Sequence, residues 1–294
     1  MKFLIAIGSQ EFSGPTLRMG MQVASAFNAS VTVVKVGPKI SDYSAAHVRL
    51  AQERMEKWNF ERPGVDVLEW AFNFLAENKY ITPTTIESGF PQNTLIDTGN
   101  NRAKVYLQGT VCSDVKLILR SGDTIAELRN EVSMGNFDVT IIGASQKRRM
   151  AHDLIQYLDS SIFVVNQYDP KKSYGLLVGV DDSPLTQKAV KYGVRVSQAF
   201  GIKVDILTVS KTGTFRAGYK KAAIQAAKLM RRMGIRCENL YKKGDPVSVI
   251  NNTAGDDHII VMGSSTKNPL VKFFTGSKPL KVMQTCKCPI LIVK

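Results

Sequence analysis

Short runs of aliphatic and β-branched residues, four to six long and without polar alternation, recur along the chain: Leu4–Ile7, Val139–Gly143, Ser161–Val165, Leu177–Val180, Ile259–Gly263 and Pro289–Val293. Unbroken runs of this kind suit parallel strands buried on both faces, with helices between them. After the fourth run, Ala189, Gly193, Val196 and Phe200 recur at helical spacing and lead into another apolar run, Val204–Val209. Strand, helix and strand in that order make a βαβ start.

The pattern occurs twice. At a single ungapped offset of 173, Leu4–Ile7 matches Leu177–Val180, Gly20 matches Gly193, Val23 matches Val196, Ala26-Phe27 matches Ala199-Phe200, and Val31–Val36 matches Val204–Val209. Further on, Gly122-Asp123 answers Gly244-Asp245, Val139–Gly143 answers Ile259–Gly263, and Ser161–Val165 answers Pro289–Val293. The chain reads as a tandem duplication. The expected fold is α/β, two doubly wound parallel-sheet domains of the Rossmann-like kind, residues 1–168 and 172–294. Each closing strand is an apolar edge, so the two are expected to pair with each other and form an intramolecular pseudo-dimer. An external homodimer is then not required.

The copies differ in two places. Val36 to Gly122 spans 86 positions against 35 from Val209 to Gly244, which gives the first copy an insertion at about 37–113. Gly143 to Ile162 spans 19 positions against 27 from Gly263 to Ile290, so the first copy lacks eight residues after its fourth strand. Within the insertion, Ser44–Trp58 and Asp66–Lys79 are expected to be helices, the second capped by Asp66 and striped by Leu68, Phe72 and Leu75. Residues 80–102 are expected to form a long loop. Both tryptophans, Trp58 and Trp70, lie in this segment, which makes it a candidate docking surface.

Length and composition fit this picture. At ~100–200 residues per domain, 294 residues suggest two domains. The four cysteines lack metal-site or C-x-x-C spacing, which predicts reduced thiols, and the apolar stretch Phe3–Ile7 is far shorter than a signal-peptide core. A cytoplasmic protein is expected. Charge changes the picture more: residues 171–294 carry 22 Lys and Arg against 7 Asp and Glu (+15), and residues 1–170 carry 17 against 18 (−1). A field of that strength attracts acidic protein surfaces or other polyanions. In the segment Arg216–Met233, Ala223, Ala227, Met230 and Met233 are expected to face the core, leaving Lys221, Lys228 and Arg232 on the outer face.

The candidate chemistry lies in the second copy. Val261–Ser277 joins a buried strand to a helical segment near Lys278. Gly263 and Gly276 permit close backbone approach, Ser277 stands as an N-cap, and Lys267, Lys272 and Lys278 offer counter-charge. Exposed amides at a helix N-terminus favour phosphate oxygens. There is no Walker loop, no G-x-G-x-x-G after a first strand, and no catalytic constellation. The pair Asp181-Asp182 reads as one ligand contact plus one solvated turn acid.

The loop resembles the G-x-x-G-x9-G-[S/T] nucleotide loop of the universal stress protein family. Three further features are similar to that family: Val178-Gly-Val-Asp181-Asp-Ser183, Gly244-Asp245-Pro246, and the closing strand Cys288-Pro289-Ile-Leu-Ile-Val293. The resemblance covers 174–294; residues 1–168 match only in outline. It implies an adenine nucleotide, ATP, with Asp181 at the adenine and ribose side and Val209 in the adenine pocket. Met262, Gly263, Gly276, Ser277 and Lys278 would then line ribose and phosphates. Thr266 departs from the family's glycine, and its Cβ crowds a close phosphate contact. In the first copy Gly8 stands where Asp181 stands in the second, Gly143-Ala-Ser-Gln146 lacks the second glycine, and the eight-residue deletion removes the Gly-Ser cap. No nucleotide is expected there. The leading expectation is a nucleotide-binding regulatory module that is not an enzyme. The rival is a nucleotide-free scaffold, cytoskeleton-associated or otherwise docked on an acidic assembly such as a microtubule or a nucleic acid.

Overall fold

The computed structural model describes residues 1–38, 63–90, 96–99, 102–143, 158–264 and 278–294. The first repeat runs β1 (Lys2–Ile7), α1 (Gln10–Ala26), β2 (Ser30–Gly37), α2 (Val65–Glu77), α3 (Pro83–Glu87), β3 (Ile96–Asp97), β4 (Arg102–Leu107), β5 (Val115–Ser121), α4 (Thr124–Gly135), β6 (Val139–Gly143) and β7 (Ser161–Val165). The second runs β8 (Gly175–Gly179), α5 (Pro184–Phe200), β9 (Val204–Ser210), α6 (Ala217–Arg232), β10 (Cys237–Lys243), α7 (Pro246–Ala254), β11 (His258–Gly263), α8 (Lys278–Thr285) and β12 (Ile290–Val293).

Among the described residues, all twelve strands form one sheet, ordered β10-β9-β8-β11-β12-β7-β6-β1-β2-β5-β4-β3. Within each repeat five strands are parallel: the four read from apolar runs, and a fifth, β5 or β10, that no such run marked. The repeats join where β12 meets β7 antiparallel, with Leu291 opposite Phe163 and Ile292 opposite Ile162. The closing strands therefore pair with each other, as expected, and the two halves form an internal pseudo-dimer. Helices α1 and α5 pack together on one face of this seam, where the Phe27 and Tyr192 rings lie 5.0 Å apart and Gln22 Nε2 donates to the Ala199 carbonyl at 2.8 Å.

Two apolar layers cover the sheet. One holds α1, α2, α5 and α6, and the other holds α4, α7 and α8. Gly20 and Gly193, matched in the repeat, explain how α1 and α5 lie so close to it. A Cβ on Gly20 would stand 2.6 Å from Ile5 Cδ1, and one on Gly193 would stand 2.9 Å from Val178 Cγ2. The Gly-Asp turns also repeat: Asp123 caps α4 by accepting from Ala126 N at 2.9 Å, and Asp245 caps α7 by accepting from Val247 N and Ser248 N at 3.1 Å.

Several expectations need correction. Met233 does not face the core: it ends α6 and is 43% exposed, while Ala226 takes a buried place beside Ala223, Ala227 and Met230. Helix α2 starts at Val65 behind an N-cap Gly64 with φ +98°, so Asp66 lies in its first turn and is not the cap. The segment 80–102 is not one long loop. It carries α3, capped by Thr82, and β3, which pairs antiparallel with β4. Strand β4 in turn pairs antiparallel with β5, so the insertion extends the sheet. The expected helix Ser44–Trp58 lies outside the described residues.

The added hairpin is bolted to the first repeat by buried charge. Arg102 on β4 donates to both carboxylate oxygens of Glu131 on α4 at 2.9 Å. Arg120, its register partner on β5, lies 3.5 Å from Glu131 and 2.7 Å from Glu127.

Candidate functional site

Strand register brings the predicted residues to one level. Gly179 of β8 lies opposite Leu207 of β9 on one side and opposite Met262 of β11 on the other. Two residues further along their strands, Asp181, Val209 and Ser264 emerge together at the carboxyl edge, with Gly263 between Met262 and Ser264. The strand order turns back between β8 and β11, and open α/β sheets bind their ligands at such a point.

Local chemistry fixes the acid. Asp181 Oδ1 accepts from Ser183 N at 3.0 Å and from Thr186 Oγ1 at 2.6 Å, which locks the turn that opens α5. Desolvation of the carboxyl favours the protonated form, but the Ser183 and Thr186 hydrogen bonds and the charge of Lys278 together outweigh it. The result is a pKa below the ordinary carboxylate value. Asp181 is therefore an anchored anion at neutral pH. Asp182 is an exposed turn acid beside Gly218.

Val209 is half-buried at the end of β9, accessible to a flat apolar group. Met262 is buried at 8% exposure. Gly263 must be small, since a Cβ there would stand 3.0 Å from Leu185 Cβ and 3.2 Å from the Leu185 backbone carbon. Ser264 N donates to the Val293 carbonyl at 2.7 Å, closing the edge between β11 and β12. Lys278 is the first residue of α8 and exposed. Thr266, Gly276 and Ser277 lie outside the described residues, as do Lys267 and Lys272. A cleft of about 460 Å³ between α5 and α6 opens beside Asp181 and is lined in part by Val190, Lys191, Lys221 and Leu229.

Sequence reasoning missed Thr186 as the residue that holds Asp181. The spacing Asp181, Ser183, Thr186 carries the signal, because short hydroxyl side chains two and five residues after an acid close turns of this kind.

The same corner of the first repeat is built differently. Lys35 of β2 donates from Nζ to the carbonyl of Gly8, the residue standing where Asp181 stands in the second repeat. Burial pushes the Lys35 ammonium below its ordinary pKa, and Asp66 partly offsets this. The returning insertion presses on the same corner: a Cβ on Gly37 would stand 2.4 Å from the Pro63 carbonyl oxygen, and one on Gly64 would stand 3.1 Å from Lys35 Cγ.

Strand order, register and seam define a tandem doubly wound α/β protein whose two carboxyl edges differ, Asp181 standing in one and Gly8 with Lys35 in the other. Residues 175–294 match the universal stress protein family model. A universal stress protein from Bacillus subtilis is 28% identical over 144 residues, 40% of this chain and 97% of the relative. A universal stress protein from Helicobacter pylori is 23% identical over 136 residues, 40% of this chain and 98% of the relative. For the whole chain, the crystal structure of a universal stress protein from Archaeoglobus fulgidus has the same fold. It superposes with TM-score 0.57 at 16% identity, covering 99% of this chain and 96% of that one. A functionally unknown protein from Pseudomonas aeruginosa superposes at 0.58 with 13% identity, covering 100% and 92%. Among the described residues, no helix is long and apolar enough to cross a membrane.

Proposed function

We propose that the second half binds an adenine nucleotide, ATP, and that the protein works as a cytoplasmic regulatory binding module, not as a catalyst. One observation carries the reading. Asp181, held ionised by Ser183 and Thr186, shares a carboxyl edge with Val209, Met262 and Gly263 at the point where the strand order turns back, and Lys278 acts on the same carboxylate. The residues fit the ligand's parts: an anchored carboxylate for ribose hydroxyls, a half-buried aliphatic surface for adenine, and a cation at a helix start for phosphate. The family loop containing Thr266, Gly276 and Ser277 supplies the remaining contacts. The four cysteines are thiols and not disulfides, which suits a reducing compartment.

Calorimetry with ATP tests the reading. Binding heat is expected for the intact protein, with loss in both Gly276→Val and Asp181→Ala. Absence of heat at millimolar ATP overturns it.

A second reading has its own observation. In the first repeat Lys35 ties to the Gly8 carbonyl and the insertion presses on the same corner, and Thr266 stands where the family has glycine, both of which suit a fold kept as a nucleotide-free scaffold. Unchanged solution behaviour of Asp181→Ala together with absent ATP heat would favour it.

A further inference from the structure

Strands β5 and β10 are the same strand of the repeat. Each lies outermost of its five parallel strands and ends in the Gly-Asp turn. In the first half the outer side of β5 is taken by an antiparallel strand, β4, from the insertion. In the second half nothing among the described residues pairs with the outer side of β10, which is the edge of the whole sheet.

The backbone of β10 shows which groups are open. The Arg236 carbonyl accepts from Val204 N, and Gly244 N donates to the Ser210 carbonyl, so the even-numbered residues of this parallel strand face β9. The amides and carbonyls of Cys237, Asn239, Tyr241 and Lys243 therefore point outward. The strand is half-buried to exposed along its length, and Tyr241, Lys242 and Lys243 are exposed.

Charge selects the occupant. Between Ile206 and Gly244 the chain has ten Lys and Arg, all exposed, and a single acid, Glu238. Helix α6 packs against β10 and carries five of them, including Lys228, Arg231 and Arg232. Two copies meeting edge to edge would bring two such surfaces together, which like-charge repulsion opposes. Lysines on an edge strand deter neutral and basic strands, but they attract acidic ones.

We propose that β10 is a docking edge for an extended acidic segment of a partner protein, which adds antiparallel as β4 does on β5. Outward main-chain groups supply the ladder and the basic surface supplies selectivity. The site is at the far edge of the sheet from the seam and does not depend on nucleotide binding.

The test uses fluorescence anisotropy of a labelled peptide, Glu-Val-Glu-Thr-Glu-Val-Glu, with the full-length protein. Two controls accompany it: the same peptide N-methylated at alternate residues, which keeps charge but removes the ladder, and the lysine counterpart. Asn239→Pro removes one outward amide and leaves the even-numbered bonds to β9 in place; Tyr241→Pro serves the same purpose if the first variant does not fold. Expected are binding of the acidic peptide, at least about tenfold weaker binding of the N-methylated form, a similar loss in the proline variant, and no binding of the lysine peptide. No binding of the acidic peptide at about 1 mM overturns the proposal. Equal binding of the N-methylated peptide overturns it too, since charge alone then suffices. A dimer of the intact protein that the proline variant abolishes would assign the edge to a second copy and also overturn it.

Discussion

The outermost parallel strand of each half has met opposite fates. In β5, Val-Lys-Leu-Ile-Leu-Arg-Ser, residues Leu117 to Arg120 are all buried, whereas no residue of β10, Cys-Glu-Asn-Leu-Tyr-Lys-Lys, is fully buried. Two positions before the turn glycine stand Arg120 and Lys242, and eight positions after the capping aspartate stand Glu131 and Thr253. In the covered half Arg120 and Glu131, with Glu127, form a buried ion-pair network reinforced by Arg102 from the insertion. In the bare half, Lys242 Nζ donates to Thr253 Oγ1 at 3.0 Å in an exposed setting. Cover and composition go together: a covering strand made a buried charge affordable only once Arg102 was there to share it, and without cover the same sites hold solvated groups.

The comparison can be broken or sharpened in order of expected effect. Phe163→Asp would put a carboxylate at a position with no exposure at the seam and cost more than about 4 kcal/mol. Denaturation midpoint and small-angle scattering should then show lower stability and an expanded particle; unchanged compactness would deny that β7 and β12 hold the halves together. Next, Glu131→Ala should destabilise by about 3–5 kcal/mol, because it removes the bidentate partner of Arg102 and one of the two carboxylates beside buried Arg120, whereas Thr253→Ala should cost under about 1 kcal/mol. Equal losses in urea unfolding would show that the two halves are not distinguished by cover.

A third change returns the missing acid to the corner where Lys35 meets Gly8. Gly8 has open space around its Cβ position, so Gly8→Asp should fold, shift stability by less than about 1 kcal/mol through Lys35, and bring no ATP heat in a Gly276→Val background. ATP binding there would show that Lys35 and Pro63 do not fill the site. The smallest effect concerns acid. The folded Asp181 pKa lies below its ordinary 3.8, so its contribution is complete above that value and is lost as pH falls through the lower folded value. Asp181→Asn should flatten that part of the stability profile, and an unaltered profile would mean that Ser183 and Thr186 do not favour the anion.

Most of the architecture was legible because a duplicated pattern is read twice: unbroken apolar runs marked four of the five parallel strands in each half, though not β5 or the polar β10, and the matched Gly20 and Gly193 marked the helices lying close on the sheet. The insertion was legible only in part. Helix α2 announced itself through Leu68, Phe72 and Leu75, but β4 was missed although Ala103, Val105 and Leu107 alternate with Arg102, Lys104 and Tyr106 at strand period. Its pairing with β5 is a long-range contact with no counterpart in the second repeat, so the repeat could not point to it. Met233 followed the helical stripe but fell at the helix end, where the chain turns out to solvent. At the site, Gly263 was legible in the loop itself, and Asp181, Val209 and Met262 were legible through the resemblance of their motifs to the universal stress protein family. The contact of Lys35 with Gly8 in the first repeat was not, because a lysine inside an apolar strand declares nothing about which carbonyl it will reach.

One continuous sheet also makes the molecule a spacer. Eleven strand intervals separate β10 from β3, and at ~4.8 Å each the two outer edges stand roughly 50 Å apart along the sheet. No hinge between separate sheets interrupts that span, since the antiparallel seam carries the hydrogen-bonded ladder from one half to the other. A body bound at the basic edge and another bound at the insertion would be held at a set separation, as by a ruler, and the distance would be fixed by the number of strands between them.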